Sequence, residues 1–201
     1  MKKIMFNDRY LLTREVLTGR KTMTRRIAYD KPIDREPYFG YDDNRHMILL
    51  NGWMQVAISK YTVGEVLAVA QSYKDVHREM MNDYDNPIFD AFKERDEDGL
   101  SQGAGWRNKM FVEARLMPHH IQIRSVKCEP LQNISYVDCL KEGVWEDCPG
   151  IQYSHTAASY CGQYPFDNPV GAFEHLIDLV SGRGTWESNP WVFAYEFTLI
   201  D

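Results

Sequence analysis

Gly19-Arg20-Lys21-Thr22-Met23-Thr24-Arg25-Arg26 decides how the chain opens. Ahead of it, Leu11, Leu12, Val16 and Leu17 recur at helical spacing, with Asn7 or Asp8 placed to cap a helix and Gly19 to end it. Behind it, Thr22 to Ile27 is β-prone, and Lys2 to Phe6 reads as a short first strand. The opening is therefore strand, helix, strand, with four cations and two hydroxyls gathered at the second junction. Were residues 21 to 26 all one strand, Lys21 and Thr24 would face opposite ways, so a site using both needs Lys21 in the turn.

A chain of 201 residues with 44% hydrophobic and 26% charged composition suits one domain with a real core. The net charge of -6 argues against bulk attraction to nucleic acid, so any such contact must be local. Cys128, Cys139, Cys148 and Cys161 have neither Cys-x-x-Cys spacing nor a companion histidine pair, and neither a metal nor a cofactor is expected. Reduced thiols in a cytoplasmic protein are the simplest reading. Asn7, Asp8 and Arg9 interrupt the apolar start too early for a secretion signal, and no segment is long and apolar enough to span a bilayer.

Further along, Val66 to Ala70, His120 to Pro130 and Trp191 to Leu199 read as strands, the last by the alternation of Trp191, Phe193, Tyr195, Phe197 and Leu199. Ser135, with Asp138 in the capping-box position, opens a short helix that stops at Gly143, and Val170 to Val180 has a helical apolar face. Glu142 falls in the last turn of the shorter helix, where the dipole disfavours a carboxylate and a neighbouring cation is expected. Residues near 29–60, 75–105 and 146–168 read as irregular insertions. The expected fold is a single α+β domain on a small sheet or barrel, covering residues 1–201.

Several separated blocks resemble one family pattern. They are Met5-Phe6, the Gly19 to Arg26 segment, Val63-Gly64-Glu65-Val66-Leu67, Met117-Pro118-His119, Leu131-Gln132-Asn133-Ile134-Ser135 through Lys141-Glu142-Gly143, and Asn189-Pro190-Trp191-Val192. Together they resemble the ASCH domain, especially its phage and prophage versions, over most of the chain outside the insertions. The resemblance implies a PUA-like small β-barrel with flanking helices, related to RNA-binding modules. Some small bacterial ASCH proteins are amidohydrolases of N4-acetylcytidine and related N-acylated cytosines, and their lysine, threonine and glutamate correspond to Lys21, Thr24 and Glu142. Where the phage-type block continues with an arginine and a glutamate, this chain has Ala70 and Gln71.

The resemblance implies RNA or a modified nucleoside in a cationic cleft, with Lys21, Thr24 and Glu142 catalytic. From the residue types themselves, Arg20, Thr22, Arg25 and Arg26 are the expected ligand contacts, guanidinium groups suiting phosphate or base stacking, and Trp191 is a candidate floor for a base, with core packing its plainer reading. The Thr24 hydroxyl needs a base, and a lysine crowded by Arg20, Arg25 and Arg26 suits, since neighbouring cations lower its pKa. Glu142 would orient Lys21 or protonate the leaving cytosine nitrogen. The three groups should then converge around a solvent-reachable hollow. A plainer reading stays open: a Lys21–Glu142 salt bridge, threonines that serve only the strand, and solvated arginines. Two other functions stay open as well, a non-catalytic RNA-binding or regulatory module and a protein-interaction partner using the acidic insertions. His119, His120 and Cys128 read as structural, and Asp96-Glu97-Asp98 as a solvated run without calcium-loop spacing.

Overall fold

A computed structural model describes residues 1–81, 90, 92–94, 99–148, 150, 152–155 and 166–200, without the side chain of Cys148. The fold class is α+β, and the chain divides into two compact units.

The first unit comprises Met1–Phe6, Val66–Gln122 and Leu199–Asp201. In it β1 (Lys2–Ile4) pairs in parallel with β6 (Val66–Val69), and β6 pairs antiparallel with the first residues of β7 (His120–Pro130). The helix Tyr73–Met80 is capped by Ser72, whose side chain accepts from the Asp75 amide. Its buried Tyr73, Val76 and Met80 join Ala68, Phe92, Leu116 and Met117 in one core cluster. Tight 3₁₀ turns at Leu100–Gln102 and Ala104–Trp106 follow in the stretch read as irregular, while Asp96-Glu97-Asp98 lies outside the described residues.

The second unit comprises Asn7–Glu65 and Ile123–Thr198. Here the remainder of β7 neighbours β10 (Trp191–Leu199), and β10 pairs antiparallel with β2 (Met23–Tyr29). Val192, Phe193, Ala194 and Tyr195 are all buried, so β10 is covered on both faces and not only on its aromatic side. Helix α1 (Leu12–Leu17) begins later than the sequence suggests: the Asn7 side chain accepts from the Tyr10 amide at 3.3 Å in the turn ahead of it, Asp8 accepts from the Thr13 hydroxyl at 2.5 Å, and Leu11 takes a left-handed φ of 58° before the first turn. Gly19, at φ 72°, ends it as expected. With the Tyr73–Met80 helix as α2, the later helices are α3 (Tyr136–Lys141), α4 (Pro169–Ser181) and α5 (Thr185–Ser188).

Residues 29–60 correct the reading of an irregular excursion. They carry a three-stranded antiparallel meander of β3 (Pro37–Tyr41), β4 (Met47–Asn51) and β5 (Met54–Ile58). Pro37 opens an edge strand, where its missing N–H costs nothing, and Asp42 accepts from the Asn44 and His46 amides to close the first turn. Leu49, fully buried, anchors the middle strand. In the third irregular region, β9 (Gln152–His155) pairs with β8 (Val144–Cys148), and residues 156–165 lie outside the described set.

Candidate functional site

The turn after α1 carries Lys21 past the helix before the ladder begins. The Lys21 amide donates to the Glu15 carbonyl, the Thr22 amide donates to the Lys141 carbonyl, and β2 starts only at Met23. Lys21 therefore belongs to the turn, as a shared site requires. From the other side, Ser135 caps α3 through the Asp138 amide, and Gly143 at φ 101° turns the chain away after Glu142. A Cβ at Gly143 would meet Lys21 at an ordinary 3.7 Å, so conformation and not crowding selects glycine there.

These two turns bring together side chains 121 residues apart in sequence. Lys21 Nζ donates to Glu142 Oε2 at 2.5 Å and to the Glu142 carbonyl at 2.8 Å. The cation expected beside this helix-terminal carboxylate is thus Lys21, joined by Arg25, whose Nη1 donates to Glu142 Oε1 at 3.1 Å. Lys21 and Glu142 are 3% and 4% exposed, and Thr24 is 5% exposed. The expected solvent-reachable hollow is corrected by these values: the three side chains are enclosed, and a ligand reaches them only if the surface above them opens.

Burial is the main cause that lowers the pKa of Lys21 from its ordinary 10.5; Glu142 opposes it, and the charges of Arg26 and Arg25 add to it. The sequence reading named the neighbouring cations as cause, but desolvation leads.

Arg25 is neither solvated nor free for phosphate. Its side chain is wholly buried, with Nη2 donating to Glu129 Oε1 at 2.8 Å and to Asp138 Oδ2 at 2.9 Å. Lys127 also pairs with Glu129 and Asp138. The connected network holds three cations, Lys21, Arg25 and Lys127, and three carboxylates, Glu129, Asp138 and Glu142, so it is formally neutral and not a cationic cleft. Sequence reasoning missed Glu129 and Lys127 and read Asp138 only as a cap. The available signal was the i, i+4 spacing of Asp138 and Glu142, which sets two carboxylates on one helical face.

The other expected residues lie elsewhere. Thr24 follows Met23 and precedes Arg25 on β2, so its side chain leaves the opposite face of the strand, beside its register partner Tyr195. Among the described residues, no hydrogen bond joins Thr24 to Lys21 or Glu142. Arg20 is exposed, pairs with Glu15 at 2.7 Å and lies over the Trp145 ring at 5.9 Å. Thr22 is half-buried, and Arg26 is exposed. Trp191 pairs with Tyr29 at the far end of the β2–β10 ladder, four residues from Tyr195, and meets Phe39 instead of the lysine. Cys128 keeps its proton because burial pushes its thiol up to about 12, and His119 pairs with Glu79 at 3.1 Å.

Among the described residues, no group of three or more His, Cys, Asp or Glu is arranged to hold a metal ion, and no helix is long and apolar enough to cross a membrane. Comparison with protein-family models, with curated proteins and with solved structures found no match.

Proposed function

We propose that this chain is an ASCH-type protein with a PUA-like fold that takes a modified nucleoside at the Lys21–Glu142 site and hydrolyses the amide of an N4-acylated cytidine. The observation that carries the reading is the enclosed Lys21–Glu142 contact, which joins the two sequence blocks the family resemblance had singled out. Thr24 supplies the nucleophilic oxygen from the adjoining strand. Lys21 first passes its proton to Glu142 within the pair; the Thr24 hydroxyl then attacks the acyl carbonyl, the freed Lys21 amine takes the hydroxyl proton, and collapse of the tetrahedral intermediate breaks the C–N4 bond. N4 leaves as the amine after gaining a proton through Glu142, and water then releases the carboxylic acid from Thr24. The step requires the Thr24 side chain, which leaves β2 on the face opposite Arg25 and is 5% exposed, to be brought to Lys21 in the complex, a rearrangement and not the tightening of an existing hydrogen bond. The neutral network favours an uncharged nucleoside over an RNA backbone, because Arg25 has carboxylate partners already.

Incubation of the wild-type protein with N4-acetylcytidine, read by mass, tests this. Cytidine and acetate should appear, and Thr24→Ala should abolish them with the fold retained. A Thr24→Ala protein as active as wild type refutes the nucleophile; RNA binding without turnover supports the non-catalytic module instead.

A further inference from the structure

Arg25 holds more partners than any other side chain around the site. Four of its five N–H groups are placed: Nη1 meets Glu142 Oε1 at 3.1 Å and Met23 Sδ at 3.3 Å, and Nη2 meets Glu129 Oε1 and Asp138 Oδ2. Only the buried Nε–H has no partner. The guanidinium also lies 5.8 Å from the centre of the Phe173 ring, which packs beside it from α4. Because Lys127 braces Glu129 and Asp138, the two carboxylates that fix the far side of the fork are themselves held.

Glu142 is consequently drawn from two directions, with Oε1 on Arg25 and Oε2 on Lys21. We propose that Arg25 is a positioning residue that locks the carboxylate plane of Glu142, leaving Oε2 alone for Lys21 and thereby governing how the Lys21 amine shares its proton. A planar fork spans carboxylates from β7, from α3 and from the end of α3 at once, which the single point of a lysine ammonium does not. This role rests on the amidohydrolase reading only for its catalytic consequence.

Two effects act on Lys21 in the same direction. Arg25 is a like charge nearby, and its hold on Oε1 limits what Glu142 gives back to the lysine. The remaining charged neighbours are Arg26, which acts as Arg25 does, and the Arg20–Glu15 pair beside the turn. Cys139, packed on the same helix, has its thiol pushed up to about 12 by burial and stays neutral.

The test is an NMR titration of Lys21 in protein carrying isotope-labelled lysine, comparing wild type, Arg25→Lys, Arg25→Gln and, as a control, Lys127→Met. The control loosens the brace without touching Glu142. The Lys21 midpoint should rise in both Arg25 variants, more in Arg25→Gln, and stay in place in Lys127→Met. The limb of the pH–rate profile assigned to the base should move with it, costing about tenfold in kcat/KM at neutral pH for each unit of rise. An unchanged midpoint in folded Arg25→Lys, or an equal rise in Lys127→Met, overturns the proposal. If Arg25→Gln does not fold, Arg25→Lys decides alone. If wild type releases no cytidine, the amidohydrolase reading falls while the midpoints still decide the role of Arg25.

Discussion

Glu142→Gln removes one charge from the centre of the site and nearly nothing from its shape. The native carboxylate accepts from Lys21 on Oε2 and from Arg25 on Oε1. A glutamine amide keeps one acceptor oxygen and turns an NH₂ donor toward the other cation, so one of two buried donors loses its acceptor. Breaking a buried ion pair from one side costs about 3–5 kcal/mol. For a chain of this size each kcal/mol moves Tm by about 2–4 °C, so a fall of roughly 6–20 °C is expected. The loss depends on pH with a definite sign. The Lys21 pKa lies below its unfolded 10.5, and losing Glu142 lowers it further, so the penalty is full near neutral pH, where the native pair is charged, and shrinks as pH rises through the folded Lys21 pKa, below 10.5. Lys21→Met combined with Glu142→Leu should cost less than the sum of the single changes by roughly 1–3 kcal/mol, since neither leaves the other's charge unpaired. Urea and thermal unfolding of Glu142→Gln, of the two single changes and of the double change measure these differences. A Glu142→Gln protein within about 0.5 kcal/mol of wild type, the scatter of ordinary surface substitutions, refutes the reasoning.

Three other perturbations follow from the same structure. His155 is fully buried, bonded at 3.0 Å to His175, and burial holds it down to about 3 from 6.5, so stability should fall as pH drops below 6.5, by about 2–3 kcal/mol at pH 4.5. His155→Phe should flatten that slope in unfolding experiments across the same range, and an unchanged slope contradicts the assignment. Gly143→Ala should cost about 1–3 kcal/mol through its φ of 101° alone, measurable by denaturation, because the added methyl meets no close atom. Leu49→Ala should cost about 2–5 kcal/mol if residues 37–58 pack as a structured meander, whereas an irregular excursion would lose little.

How much could be read in advance differed by element, for physical reasons. The strands at His120–Pro130 and Trp191–Leu199 coincide with the expected segments, because alternating apolar residues leave a local imprint. The cap at Ser135 and the stop at Gly143 were equally local. The meander is hidden because Pro37, Gly40 and Gly52 are turn signals, and the Met47 to Leu50 apolar run between them is too short to stand out against them. A cation beside Glu142 could be foreseen from the helix end alone, while its identity as Lys21 came only with the family resemblance. The rest of the network could not: Arg25 finds its carboxylates 104, 113 and 117 residues away, and no local pattern records such distances. An arginine next to another arginine on a short strand looks solvated until the fold buries it.

The steady-state rate of cytidine release from N4-acetylcytidine by wild type and Lys21→Met, measured across pH on protein shown to be folded, bears most directly on the central claim that the enclosed lysine–glutamate pair does proton chemistry. Wild type should turn over, and Lys21→Met should lose about 10²-fold or more, the scale of a removed general base. Undiminished turnover by Lys21→Met, or no cytidine from wild type at any pH, contradicts it.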